Sequence, residues 1–274
     1  MKKVVLVATL STFVLFGCVQ QSSELSPPTS QEINIASIPS AVLQYASKKL
    51  GKSVNELNTE DLVQLEELYL ASDELESEPL DLSFISSMKN LKHFSLYDIK
   101  VKDFYFISNL NELKSLSISG FQMSQLPSLK QLQELKNLML TDGDIESLDF
   151  IVPLTNLETL SLDHNQITDL SPIKEMKKLV FLDISSNPIN DIAAVSNLSS
   201  LERLQIMDTS VQNLDVLSNL KHLRYLDIRD TPISTVKPLV NIEGLEILLT
   251  NNNEMKDLHL LPKSVRVSAT SITD

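Results

Sequence analysis

Residues Leu157 to Lys178 read L-E-T-L-S-L-D-H-N-Q-I-T-D-L-S-P-I-K-E-M-K-K. Leu157, Leu160 and Leu162 open the stretch, Asn165 and Ile167 follow, and Leu170, Ile173 and Met176 close it. The alternation at Leu160 and Leu162 predicts a strand, because alternate side chains of a strand share one face. Asn165 marks the turn out of it, and the later spacing of three predicts a short helical or 3₁₀ return. One such unit cannot cover its own apolar side, so it must stack on copies of itself.

The copies begin at Leu65, Leu91, Leu113, Leu135, Leu157, Leu179, Leu201, Leu223 and Leu245. Every step from Leu91 to Leu245 is 22 residues; only the first is longer, by four residues around Glu76–Asp81. A Leu-rich helical protein would hold a 3.6 period instead. The chain has 274 residues, and the unbroken period argues for one elongated body rather than two domains.

The pattern resembles the leucine-rich repeat of bacterial internalin-type proteins, over residues 34–267. The resemblance implies an α/β solenoid with a parallel sheet on its concave face and short helical or 3₁₀ turns on its convex face. Nine units, 65–267, follow a helical cap at 34–64. Within the cap, Pro39 opens a helix whose Val42, Leu43, Ala46 and Leu50 share a face, and Gly51 stops it. Ser53 with Glu56 matches a capping box. Val265 and Val267 supply one last strand, and the polar tail 268–274 leaves the last coil poorly covered.

Met1-Lys2-Lys3 precedes an apolar run of 13 residues, Val4 to Phe16, too short to span a bilayer comfortably. Leu15-Phe16-Gly17-Cys18 resembles a bacterial lipobox, although Phe16 is bulkier than usual there. That resemblance implies a signal peptide at 1–17 and lipidation of Cys18, the single cysteine of the chain. Val19 is not the Asp that commonly retains lipoproteins at an inner membrane, so an outer membrane is expected if the host has two. Residues 18–33 form a polar tether, stiffened at Pro27-Pro28.

Charge excludes some partners. The chain carries 23 basic and 36 acidic residues, a net of −13. Loss of residues 1–17 removes two lysines and no acid, leaving 21 against 36, or −15. Nucleic acid binding needs the opposite sign. A membrane contact is therefore expected through the lipid on Cys18 rather than through basic side chains.

Eight residues after each opening Leu lies a turn column: Asp73, Ile99, Phe121, Gly143, Asn165, Asn187, Thr209, Thr231 and Asn253. In the family an Asn ladder here bonds the turning backbone. Ile99, Phe121 and Gly143 cannot do so, and those coils are expected to be less regular.

Function is expected on the outward columns, the second, fourth and sixth residues after each opening Leu. From Ser115 to Ser161 these are almost all Ser, Thr and Asn. Further on they include Phe181, Arg203, Tyr225, Ile247, Met207, Arg229 and Leu249, with Asp183 and Asp227 interleaved. Aromatic residues, Met and Arg are enriched where proteins bind. Phe181, Arg203, Tyr225, Met207, Arg229, Ile247, Asp183 and Asp227 are thus the expected contact residues. The bland alternative pairs Arg203 and Arg229 with the two aspartates and covers the rings. His93, Tyr97 and Tyr69 form a weaker second cluster.

Asp208 and Asp230 lie near Asp183 and Asp227, but spaced single carboxylates without a Gly-bearing loop read as solvated acids rather than a metal site. His93, His164, His222 and His259 fall in different coils without ligand spacing. No nucleophile, base and oxyanion site converge, so neither catalysis nor a cofactor is expected. The sequence thus predicts a monomeric, lipid-anchored, extracytoplasmic protein-binding module, with a self-associating envelope protein as the alternative.

Overall fold

The computed structural model describes residues 34–71, 78–252 and 255–269. The expected signal peptide at 1–17 and the expected lipidated Cys18 and tether at 18–33 lie outside these residues, as do Asp73, Asn253 and residues 270–274 of the tail. Ten strands form one sheet in chain order, every neighbouring pair parallel. They are β1 (Glu67–Ala71), β2 (His93–Tyr97), β3 (Ser115–Ser119), β4 (Asn137–Thr141) and β5 (Thr159–Ser161). β6 (Phe181–Asp183), β7 (Arg203–Gln205), β8 (Tyr225–Asp227), β9 (Ile247–Leu249) and β10 (Arg266–Ser268) complete it. The register advances by the sequence period: Leu160 faces Leu182, Leu182 faces Leu204, and Leu204 faces Leu226. These leucines form one file with 0% exposure, which fixes the side of every other column. The fold is a leucine-rich-repeat solenoid, as the sequence predicts.

The first end is capped by α1 (Ser40–Leu50) and α2 (Thr59–Val63). Val42 and Ala46 of α1 are fully buried. Leu50 is not part of that face; it is 37% exposed, which corrects the sequence reading. Gly51 takes φ 66° and closes α1 through its N–H to Ser47 O, a left-handed stop that glycine adopts without a Cβ penalty. The Ser53–Glu56 capping box forms on a single 3₁₀ turn, and a second box, Asn58 with Asp61, starts α2.

Among the described residues the other end is uncovered. Val267 continues the file of Leu248, yet it is 41% exposed, and Leu260 is 43% exposed. The last unit has no following coil among the described residues to cover them.

The turn column behaves as its side chains dictate. Asn165 Nδ2 donates to Leu140 O, Leu162 O and Asp163 O, and its Oδ1 accepts from Ile145 N–H at 3.1 Å. Asn187 repeats this one coil on. Thr209 is shorter and bonds only Ile206 O, so Ile189 N–H turns to Asn187 O in its own coil.

The coils holding Ile99, Phe121 and Gly143 keep regular strands of five residues, contrary to the expected irregularity there. Phe121 fills the column with a buried ring, and Gly143 leaves room for it. A Cβ at Gly143 would stand 2.9 Å from the Phe121 ring and 2.9 Å from Asn165 Oδ1. The irregularity appears on the return instead: the coil from Leu113 turns at Met123–Gln125, eleven or so residues on, where its neighbours turn later, at Tyr105–Asn109 and Asp149–Ile151.

Two columns escaped the sequence reading. Twelve residues after the opening Leu, Asp103, Ser147, Asp169, Asp191 and Asn213 each accept the N–H two residues on, at the start of a 3₁₀ turn. One place before the ladder, Asp98, Asp142, His164, Ser186, Asp208 and Asp230 all have φ between 51° and 55°, with Gly120 at 73°. Small polar residues tolerate this left-handed turn, so Asp208 and Asp230 are there for backbone reasons.

Candidate functional site

The concave face presents the second, fourth and sixth columns in rows set by the strand register. One row runs Phe181, Arg203, Tyr225 and Ile247 across β6 to β9. Neighbours in such a row are about 4.8 Å apart. Phe181 and Ile247 are half-buried, and Arg203 is exposed. The Arg203 guanidinium carbon sits 4.3 Å from the centroid of the Tyr225 ring, within cation–π range. That stacking leaves Tyr225 only 9% exposed.

Below this row runs Asp183, Gln205, Asp227 and Leu249. Asp227 is 1% exposed and takes a two-pronged bond from Arg229: Nε to Oδ1 at 2.9 Å and Nη2 to Oδ2 at 2.6 Å. Two parallel bonds of this kind fix the guanidinium plane as well as its charge. Asp227 Oδ1 also accepts the backbone N–H of Arg229. Asp183 has no basic partner among the described residues; its Oδ1 accepts Ser185 N–H at 3.0 Å. Burial pushes the Asp183 carboxyl above its ordinary range, against the pull of those Ser185 bonds.

The sequence therefore placed all eight expected contact residues on one face but misjudged two. Tyr225 and Asp227 are buried beneath Arg203 and Arg229 and do not project freely. The covering role expected of the two arginines holds for Arg229 on Asp227 and for Arg203 on Tyr225. Arg203 does not pair with Asp183. Leu249, an outward position by sequence, is fully buried. Phe181, Arg203, Met207, Arg229, Ile247 and Asp183 retain accessible surface.

The first half of the face differs. Ser117 and Ser161 are buried, and Ser119 Oγ donates to Asp142 Oδ2. Tyr69, 53% exposed, lies 5.5 Å centroid to centroid from Tyr97, whose hydroxyl bonds Ser117 Oγ at 2.8 Å. His93 is exposed beside the cap. Hydrogen bonding to Asp163 raises the His164 imidazole above its usual value. No group of three metal-ligating side chains gathers among the described residues. No described helix is long and apolar enough to cross a membrane.

Comparison with known proteins agrees with this architecture. Residues 155–200 match the family model described as Leucine Rich repeats (2 copies). The structure is similar to that of internalin C2 from Listeria monocytogenes, with 29% identity, 77% of this chain and 92% of that chain covered, and a TM-score of 0.69. It is also similar to a leucine-rich-repeat protein of Leptospira interrogans, with 25% identity, 76% and 67% coverage, and a TM-score of 0.56. A second Listeria monocytogenes internalin shares the fold at 18% identity. A search of curated proteins by sequence found no match. The chain is thus a leucine-rich-repeat solenoid with structural similarity to internalins.

Proposed function

We propose that this protein is a lipid-anchored, extracytoplasmic module that holds a protein partner on the concave face of its C-terminal half. Leucine-rich-repeat solenoids generally serve as protein-interaction modules rather than enzymes. The observation that carries the reading is the row of Phe181, Arg203 and Ile247 on Tyr225. It offers aromatic and aliphatic carbon and a guanidinium where the same row of the preceding coils offers Ser115, Asn137 and Thr159. The sheet holds these groups in fixed positions, so little ordering entropy is lost on binding. The anchor belongs to the reading through Cys18 and the apolar run before it.

A photocrosslinking residue at Phe181 or Ile247, against one at Lys174 or Lys237 on the convex 3₁₀ returns, tests the face. Specific adducts confined to the concave positions support it; adducts from the convex positions alone end it. Labelling with a radioactive fatty acid tests the anchor: Cys18→Ser should lose all label.

A second reading, self-association, is favoured by the exposed Val267 and Leu260 at the last described coil. Sedimentation over a concentration series separates the two. A Val267→Asp variant that abolishes a defined oligomer would establish the second.

A further inference from the structure

We infer that Arg203 is a carboxylate-recognition point, taking an Asp or Glu side chain that stands beside an apolar residue on the partner. The inference rests on the concave-face reading and names what that face selects.

The argument is one of unmatched charge. The body is strongly acidic, and the concave columns around Arg203 contain two aspartates and two arginines. Arg229 and Asp227 satisfy each other. Asp183 is engaged by Ser185 N–H and is desolvated. Among the described residues no carboxylate pairs with Arg203, although it is exposed. Its contact is the Tyr225 ring, 4.3 Å from the guanidinium carbon, and no hydrogen bond among the described residues takes up its N–H groups. Those N–H groups match a carboxylate with two parallel bonds. Phe181 and Ile247, in the same row, and Met207, two residues beyond Gln205 in the same coil, supply the apolar seat beside it.

The neighbouring acids decide between anions. Asp183 lies in the next row, with Asp163 close enough to act on it, so a phosphate dianion meets about twice the repulsion that a carboxylate does. A carboxylate tied to an apolar side chain gains contact that a bare anion lacks.

The chain contains four arginines, so its arginine Nε–H spectrum has four assignable signals. The full chain is titrated with N-acetyl-aspartyl-phenylalanine amide, with its asparaginyl counterpart, and with phenyl phosphate. The Arg203 signal should move saturably with the aspartyl probe, while the signals of Arg224, Arg229 and Arg266 stay. The asparaginyl probe should weaken the response about tenfold or more, the loss of one charge-assisted pair, and Arg203→Lys should weaken binding of the aspartyl probe, read by calorimetry, to a similar extent. Equal response to both peptides, stronger response to phenyl phosphate, or a still Arg203 signal at saturating probe overturns the inference. Concave-face crosslinks surviving such a result would leave the broader function standing, and convex-only crosslinks would remove both.

Discussion

Asn187 Nδ2 donates to Leu162 O at 2.9 Å, twenty-five residues back and one coil away, while its Oδ1 accepts Ile167 N–H at 2.9 Å. A single buried amide therefore stitches two coils. Asn187→Ala strands several buried backbone groups at once and should cost about 3 kcal/mol or more. Thr209→Ala breaks one bond, to Ile206 O, and should cost about 1 kcal/mol. Urea unfolding of the two variants should preserve that order.

The buried leucine file makes a second comparison. Leu204→Ala opens a cavity between Leu182 and Leu226 and should destabilise by about 3 kcal/mol. Val267→Ala, on the same file but 41% exposed, should cost less than about 1 kcal/mol. Similar losses at both positions would mean that the last coil is covered in solution.

Gly143→Ala should destabilise by about 1–3 kcal/mol, since its Cβ lands on the Phe121 ring and the Asn165 amide. Phe121→Leu in the same chain should recover part of the loss, and thermal denaturation of the single and double variants reads out the coupling.

Arg229→Gln leaves Asp227 as a buried charge without its partner and should cost about 3 kcal/mol. Adding Asp227→Asn removes that charge, so the double variant should be more stable than Arg229→Gln alone. A double-mutant cycle without such coupling would show that water replaces the guanidinium.

Asp183 sets a pH dependence. Its folded carboxyl holds a proton more tightly than the unfolded one, because burial disfavours the charge. Above the folded value the native state bears the full cost of that charge; below the ordinary carboxylate value both states are protonated and the cost is gone. Asp183→Asn should therefore be more stable than the parent at neutral pH. The gap should close as pH falls through the folded value toward the ordinary one, in chemical denaturation at stepped pH.

Much of this was legible in the sequence. A constant step of 22 with alternate leucines fixes the sheet, its register and the buried file, because a slip of one residue would turn every leucine outward. The capping residues at Asp169 and Asp191 went unread, although they form a polar column at constant offset. The burial of Tyr225 and Asp227 was not legible. It depends on Arg203 lying across a strand and Arg229 folding back along its own, and side-chain torsions leave no mark in a repeat pattern. Nor did the acids at Asp208 and Asp230 announce themselves as turn residues, since a left-handed backbone and a solvated carboxylate select the same letters.

The unslipped register has one more result, for how such a chain changes length. Excision of Leu157 to Lys178 removes one whole coil and brings the unit of Leu135 against that of Leu179. Asn137 then faces Phe181, and Asn187 meets Ile145 N–H where Asn165 did. The shortened protein loses the stacked Asn165–Asn187 pair but keeps the register of every remaining coil, so its reach can be set in steps of one coil while the chemistry of the row beyond Phe181 stays as it is.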